Sequence, residues 1–113
     1  MYQLSYQLAL EIFELTKGFP KEELYSLTNQ VRRSSRSVPS NIAEAWRKRK
    51  YPKSFTSKLI DSLAEESETE VSLDFSKDLK YMSEEKYSYF IKKYDEVAIM
   101  LSSMIDNPDK FCH

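Results

Sequence analysis

From Arg32 to Lys53 the chain sets out Arg32, Arg33, Arg36, Arg47, Lys48, Arg49, Lys50 and Lys53, with Trp46 directly before the last five and Tyr51 among them. Guanidinium and ammonium groups are ligands for phosphate oxygens, and exposed aromatic rings stack on bases, so this pattern belongs to binding chemistry, not to bond making. The formal net charge of −1 hides it. Residues 32–58 hold nine Lys/Arg against one acid, Glu44, a local charge of +8, whereas residues 59–113 carry −7 and residues 1–31 carry −2. One small molecule with opposite charge on its two parts has a polarised surface. Two readings of the basic set stand side by side: phosphate contacts to RNA or DNA, or ion pairs with the acidic second half, within a subunit or across an interface.

Other reactive side chains give little. Glu66 and Glu70, one helical turn apart, share a stripe with Leu59, Leu63 and Leu73, where an unpartnered carboxylate is costly. A carboxylate-bridged metal bundle needs glutamates from several helices with Glu-x-x-His pairs, and the single histidine is the last residue, His113. No metal is expected; the two carboxylates should accept hydrogen bonds from Asn41, a tyrosine or an arginine of the second helix. Cys112-His113 lacks orienting groups for nucleophilic catalysis, and one glycine, Gly18, permits no glycine-rich phosphate loop. The expectation is a protein without catalytic residues or cofactor. Ser34, Ser35 and Ser37 are expected to bond to preceding carbonyls or to permit close helix approach.

The elements that must position these residues are helices. The chain has 113 residues, one glycine and four prolines, and 41% of its residues are hydrophobic, which suits one all-α domain over residues 1–113. At about 100° per residue, Leu4, Leu8, Ile12 and Leu15 form a stripe on a first helix from Tyr2 to Lys17, ended by Gly18. A second helix is expected from about Lys21 to Lys48. Leu24, Leu27, Val31, Val38, Ile42 and Ala45 share one of its faces, and Arg32, Arg36, Arg47 and Lys50 share the opposite one. Because the apolar phase is the same on both sides of Pro39, a kink without reversal is predicted there. A third helix from Ser54 to Lys80 carries two stripes, Phe55, Leu59, Leu63 and Leu73 beside Ile60, Ala64, Val71 and Phe75. A fourth starts at Ser83 as N-cap, runs through Tyr87, Phe90, Tyr94, Val97 and Leu101, and stops at Asn107-Pro108, after which the last five residues should fray. The architecture expected is an antiparallel up-down four-helix bundle.

The run from Phe19 to Tyr25, the segment Leu27 to Ser34, and Val38-Pro39-Ser40-Asn41-Ile42-Ala43-Glu44-Ala45 together resemble a bacterial four-helix-bundle family. That family was first described from intervening sequences in large-subunit ribosomal RNA genes. Lys58-Leu59 and the stretch Ala64 to Val71 extend the resemblance over nearly the whole chain. Relatives include accessory proteins of diversity-generating retroelements, five-fold barrels with basic surfaces that assist a reverse transcriptase. The resemblance implies a homopentamer, RNA or DNA contact, and a reverse transcriptase or other protein as partner. Ala45, where the family often has glycine, favours an uninterrupted helix.

Independently of the resemblance, the first and third helices show more apolar circumference than one small bundle can bury, so a homo-oligomer is expected. With no basic leader before Lys17 and no run of about 18 apolar residues, no membrane partner is expected and the location should be cytoplasmic. A lone cysteine, Cys112, suits a reducing compartment.

Overall fold

The computed structural model describes residues 1–112, which form four helices: α1 (Tyr2–Thr16), α2 (Asn29–Arg47), α3 (Pro52–Asp78) and α4 (Glu84–Asp106). Each packs on its neighbour in the chain and α1 returns to α4, so α1 and α3 lie across a diagonal, as do α2 and α4. The four-helix bundle measures 46 × 25 × 18 Å. Its core is built from the expected stripes: Leu8 and Ile12; Val31, Val38, Ile42 and Ala45; Phe55, Leu59 and Leu73; Phe90, Tyr94, Val97 and Leu101. Among the described residues no helix is long and apolar enough to cross a membrane.

The second helix starts later than the sequence suggests. From Pro20 the chain makes a short 3₁₀ turn (Lys21–Glu23) and one wide π turn (Leu24–Thr28) before α2 proper. A π turn holds an extra residue, so Leu24 is rotated off the apolar face and is exposed while Leu27 is buried. Tyr25, at 91% exposure, points into solvent from the same turn.

Pro39 does not reverse the chain, for α2 continues through it to Arg47. The missing N–H at Pro39 frees a carbonyl one turn back, and the neighbourhood is rich in hydroxyls bonded to main-chain oxygens. Ser34, Ser35 and Ser37 donate to the carbonyls of Val31, Arg32 and Arg33, and Ser62 of α3 donates to the Val38 carbonyl at 2.8 Å. Ala45 is fully buried within the uninterrupted helix.

The helix ends obey local rules. Ser83 caps α4, its Oγ accepting from the Lys86 N–H at 3.1 Å. At the end of α3, Lys80 takes φ 64°, while the Tyr81 N–H reaches the Ser76 carbonyl and the Lys80 N–H the Lys77 carbonyl. That double bond pattern is a Schellman cap. Gly18 has an ordinary φ, and a Cβ there would meet only the Leu15 carbonyl, at 3.6 Å. The expectation that the end of the chain frays is overturned up to Cys112. Pro108–Lys110 form a 3₁₀ turn, Phe111 stacks on Phe55 with ring centroids 6.4 Å apart, and Phe111 and Cys112 pack on the core. His113 lies outside the described residues.

Candidate nucleic-acid interface

The basic residues of α2 and the loop after it divide into three groups by what they touch. Arg32 is a fastener between helices. Its Nε donates to Thr16 Oγ1 at 2.7 Å, Thr16 Oγ1 donates to the Phe13 carbonyl, and the Arg32 guanidinium lies 4.4 Å from the centre of the Phe13 ring. Arg36, at 5.8 Å, and Lys17, at 5.2 Å, face the same ring. One aromatic ring therefore has three cations around it, from α2 and from the end of α1, drawn by its quadrupole. The sequence offered this seat only as a spacing, Phe13 and Thr16 three apart on α1 facing Arg32 and Arg36 four apart on α2.

Arg33 turns the other way and meets acids of α3, with Glu65 at 3.6 Å and Glu68 at 3.4 Å. Glu65 is nonetheless held above the usual carboxylate range, first by burial and then by the nearby Glu68 charge, with Arg33 opposing both. Lys58 pairs with Glu44 at 2.8 Å, a contact that pulls the Glu44 carboxyl down. Pairing with the acidic half of the molecule thus accounts for Arg33, and pairing with the one acid of the basic segment accounts for Lys58.

The third group surrounds the turn from α2 to α3. Arg47, Lys48, Lys50 and Lys53 are exposed, and Arg49 lies over Trp46 with its guanidinium 4.1 Å from the ring centre. Among the described residues, none of these five, nor Arg32 or Arg36, has a carboxylate within 4.0 Å. A groove of about 440 Å³ runs beside the α2 set, lined by Asn29, Arg32, Arg33, Arg36, Ser37 and Ser40. It is open, cationic and hydroxyl-lined, a chemistry that suits phosphate oxygens.

The inward polar residues depart from expectation. Asn41 does not reach the carboxylates; its Nδ2 donates to the Ser37 carbonyl one turn back, at 3.0 Å. Nor does an arginine of α2 reach them, since Arg32 and Arg33 are committed to Thr16 and to Glu65 and Glu68. Glu66 is 2% exposed, with Oε2 unpaired, and the buried hydroxyl of Tyr94 in α4 is also unpaired. Burial, with the Glu70 carboxyl beside it and Asp95 beyond, pushes Glu66 up to about 9. It is therefore a neutral acid at pH 7. Burial, and after it the Glu66, Glu11 and Glu70 carboxyls, push the Tyr94 phenol up as well. Among the described residues no three His, Cys, Asp or Glu side chains converge as metal ligands.

Comparison with known proteins adds family and fold. A family model described as 23S rRNA-intervening sequence protein matches residues 1–103. Among solved structures, a protein of unknown function from the S23 ribosomal protein family of Bacteroides thetaiotaomicron superposes with a TM-score of 0.81 at 25% identity, covering 92% of this chain and 96% of that one. Comparison with curated proteins returned no match. With the match running from the first residue of α1 almost to the end of α4, over a bundle of the same topology, the chain belongs to the 23S rRNA-intervening sequence protein family.

Proposed function

We propose that this protein is a non-enzymatic, homo-oligomeric accessory protein that binds nucleic acid through the basic face of α2 and the turn that follows it. The observation that carries the reading is uncompensated charge: of the nine basic residues between positions 32 and 58, only Arg33 and Lys58 sit in ion pairs among the described residues. Had the basic half served mainly to neutralise the acidic half, most of these side chains would be paired. Each phosphate neutralised by one of the remaining cations releases counterions, which favours binding at low salt.

Oligomerisation is supported by apolar surface that the single chain leaves uncovered. Tyr2, Tyr6 and Leu10 lie in a row on α1, and Ile60, Val71 and Phe75 on α3 with Leu79 at its C-cap, all about half exposed. These are the helices that lie across the diagonal, so the two faces look away from each other and suit a head-to-tail contact that closes as a ring. Five subunits is the number implied by the sequence resemblance. The intended setting is the cytoplasm, with RNA or DNA and, by the same resemblance, a reverse transcriptase as partners.

A second reading, an interaction module without nucleic acid, draws on the Arg33 contacts to Glu65 and Glu68, which use basic residues to bind acids. Gel shifts with structured RNA, single-stranded DNA and duplex DNA across a salt series separate the two. Binding that weakens with salt, and whose log-affinity against log-salt slope falls by about 2 in an Arg36→Ala/Arg47→Ala double variant, supports the nucleic-acid reading. Wild-type protein that shifts none of the three at low salt overturns it in favour of the module.

A further inference from the structure

The turn joining α2 to α3 differs from the rest of the basic face in one respect: its aromatic rings are open. At α1 the Phe13 ring is already covered by Arg32 and Arg36, which leaves charge alone to act there. At the turn, Tyr51 is 66% exposed and Trp46 is 48% exposed, with one of the indole's faces lying against Arg49. Neither ring belongs to the hydrophobic core. Pro52 explains the stance of Tyr51. The residue before a proline is driven to extended backbone, and Tyr51, at φ −120° and ψ 90°, stands at the head of α3 while its N–H closes the turn onto the Lys48 carbonyl.

Five cations, Arg47, Lys48, Arg49, Lys50 and Lys53, fall within seven residues around these rings with no carboxylate within 4.0 Å among the described residues. Closing the negative end of α2 needs one or two cations at most. Glu44, held by Lys58, also draws on Lys48 and Arg47, and the remaining cations repel one another unless a further anion lies among them. The first amides of α3, at Lys53 and Ser54, have no partner within the helix and add positive potential at the same place.

We propose that this end of the bundle is a site for unpaired nucleic acid, in which bases stack on Tyr51 and on the free face of Trp46 while Arg47, Lys48, Lys50 and Lys53 hold the flanking phosphates. The inference rests on the nucleic-acid reading above and deepens it by naming the strand state. A duplex hides its base faces in its own stack and offers this turn only phosphates, so a single strand gains the stacking contribution and a duplex does not. RNA and DNA share that chemistry, because the faces of the bases are common to both.

Trp46 is the only tryptophan in the chain, so its emission reports on this turn alone. The experiment titrates wild-type protein at low salt with oligo-dT, oligo-rU and a DNA duplex of the same length, following indole fluorescence and anisotropy of the labelled strands. Expected are quenching of Trp46 by the single strands and not by the duplex, and a loss of about tenfold in single-strand affinity for Tyr51→Ala, whose duplex affinity stays within about twofold of wild type. The oligo-rU and oligo-dT arms rank the two strand chemistries. Duplex bound as tightly as single strand with unchanged Trp46 emission, or Tyr51→Ala indistinguishable from wild type, overturns the single-strand assignment and leaves the nucleic-acid reading in place. Failure of all three probes to raise the anisotropy overturns both.

Discussion

At the scale of the residue, Glu66 is a carboxyl buried in the bundle at 2% exposure. A carboxyl with a folded pKa raised from 4.5 to about 9 keeps its proton in the folded state over a range of pH where the unfolded chain has lost it. The unfolded state then binds fewer protons than the folded one, so stability falls as pH rises from about 4.5 to about 9 and levels off above it, with a slope of up to about 1.4 kcal/mol per pH unit. Thermal melts between these limits should show the midpoint dropping steadily with pH. Glu66→Gln, neutral at every pH and nearly the same shape, should flatten that slope and melt higher than wild type at pH 8; an unchanged slope would place the titration elsewhere. Lys80 gives a second expectation. It occupies a left-handed position in the α3 cap, which costs a residue with a Cβ about 1 kcal/mol, so Lys80→Gly should raise the free energy of unfolding by about that amount in a urea titration. Gly18, with its ordinary φ, should accept alanine without loss.

At the scale of the element, what could be read in the sequence is what depends on periodicity and on caps. The buried rows Leu8 and Ile12, Val31 to Ala45, and Phe90 to Leu101 follow from helical spacing alone, as do the Ser83 cap and the passage of α2 through Pro39. Departures arise where the backbone leaves a regular period. The π turn at Leu24–Thr28 shifts the phase by one residue and moves Leu24 outward, and no local composition signals it. Contacts between helices were also out of reach, because pairing depends on which faces meet. The basic stripe was legible as a charge pattern, whereas its division into Arg32 on Thr16 and Phe13, Arg33 on Glu65 and Glu68, and an open cluster from Arg47 to Lys53 was not. That division alters what mutagenesis should do. Arg32→Ala removes a hydrogen bond and a cation–π contact between α1 and α2, and should lower stability by about 1–2 kcal/mol by chemical denaturation. Arg36→Ala and Arg47→Ala should each fall within about 0.5 kcal/mol of wild type, as exposed charges without ionic partners do.

At the scale of the whole molecule, the two uncovered apolar faces and the basic turn belong to one design in the proposed function. Phe75 lies in the middle of the exposed row Val71, Phe75 and Leu79 and takes no part in the core. A carboxylate there leaves the bundle intact and places a desolvated charge in any interface that covers α3, so Phe75→Asp should convert an oligomer into folded monomers. Light scattering after size exclusion reads the mass, and circular dichroism reads the retained helix. Association also bears on nucleic-acid affinity, since a ring presents several copies of the Arg47–Lys53 turn to one strand, and each contact after the first is intramolecular. Monomeric Phe75→Asp protein should therefore bind a long single strand at least about tenfold more weakly than wild type, yet bind an oligonucleotide too short to span two subunits equally well. Wild-type protein that elutes as a monomer at micromolar concentration would remove the interface and with it the avidity. A Phe75→Asp oligomer of unchanged mass would move the interface off this face of α3.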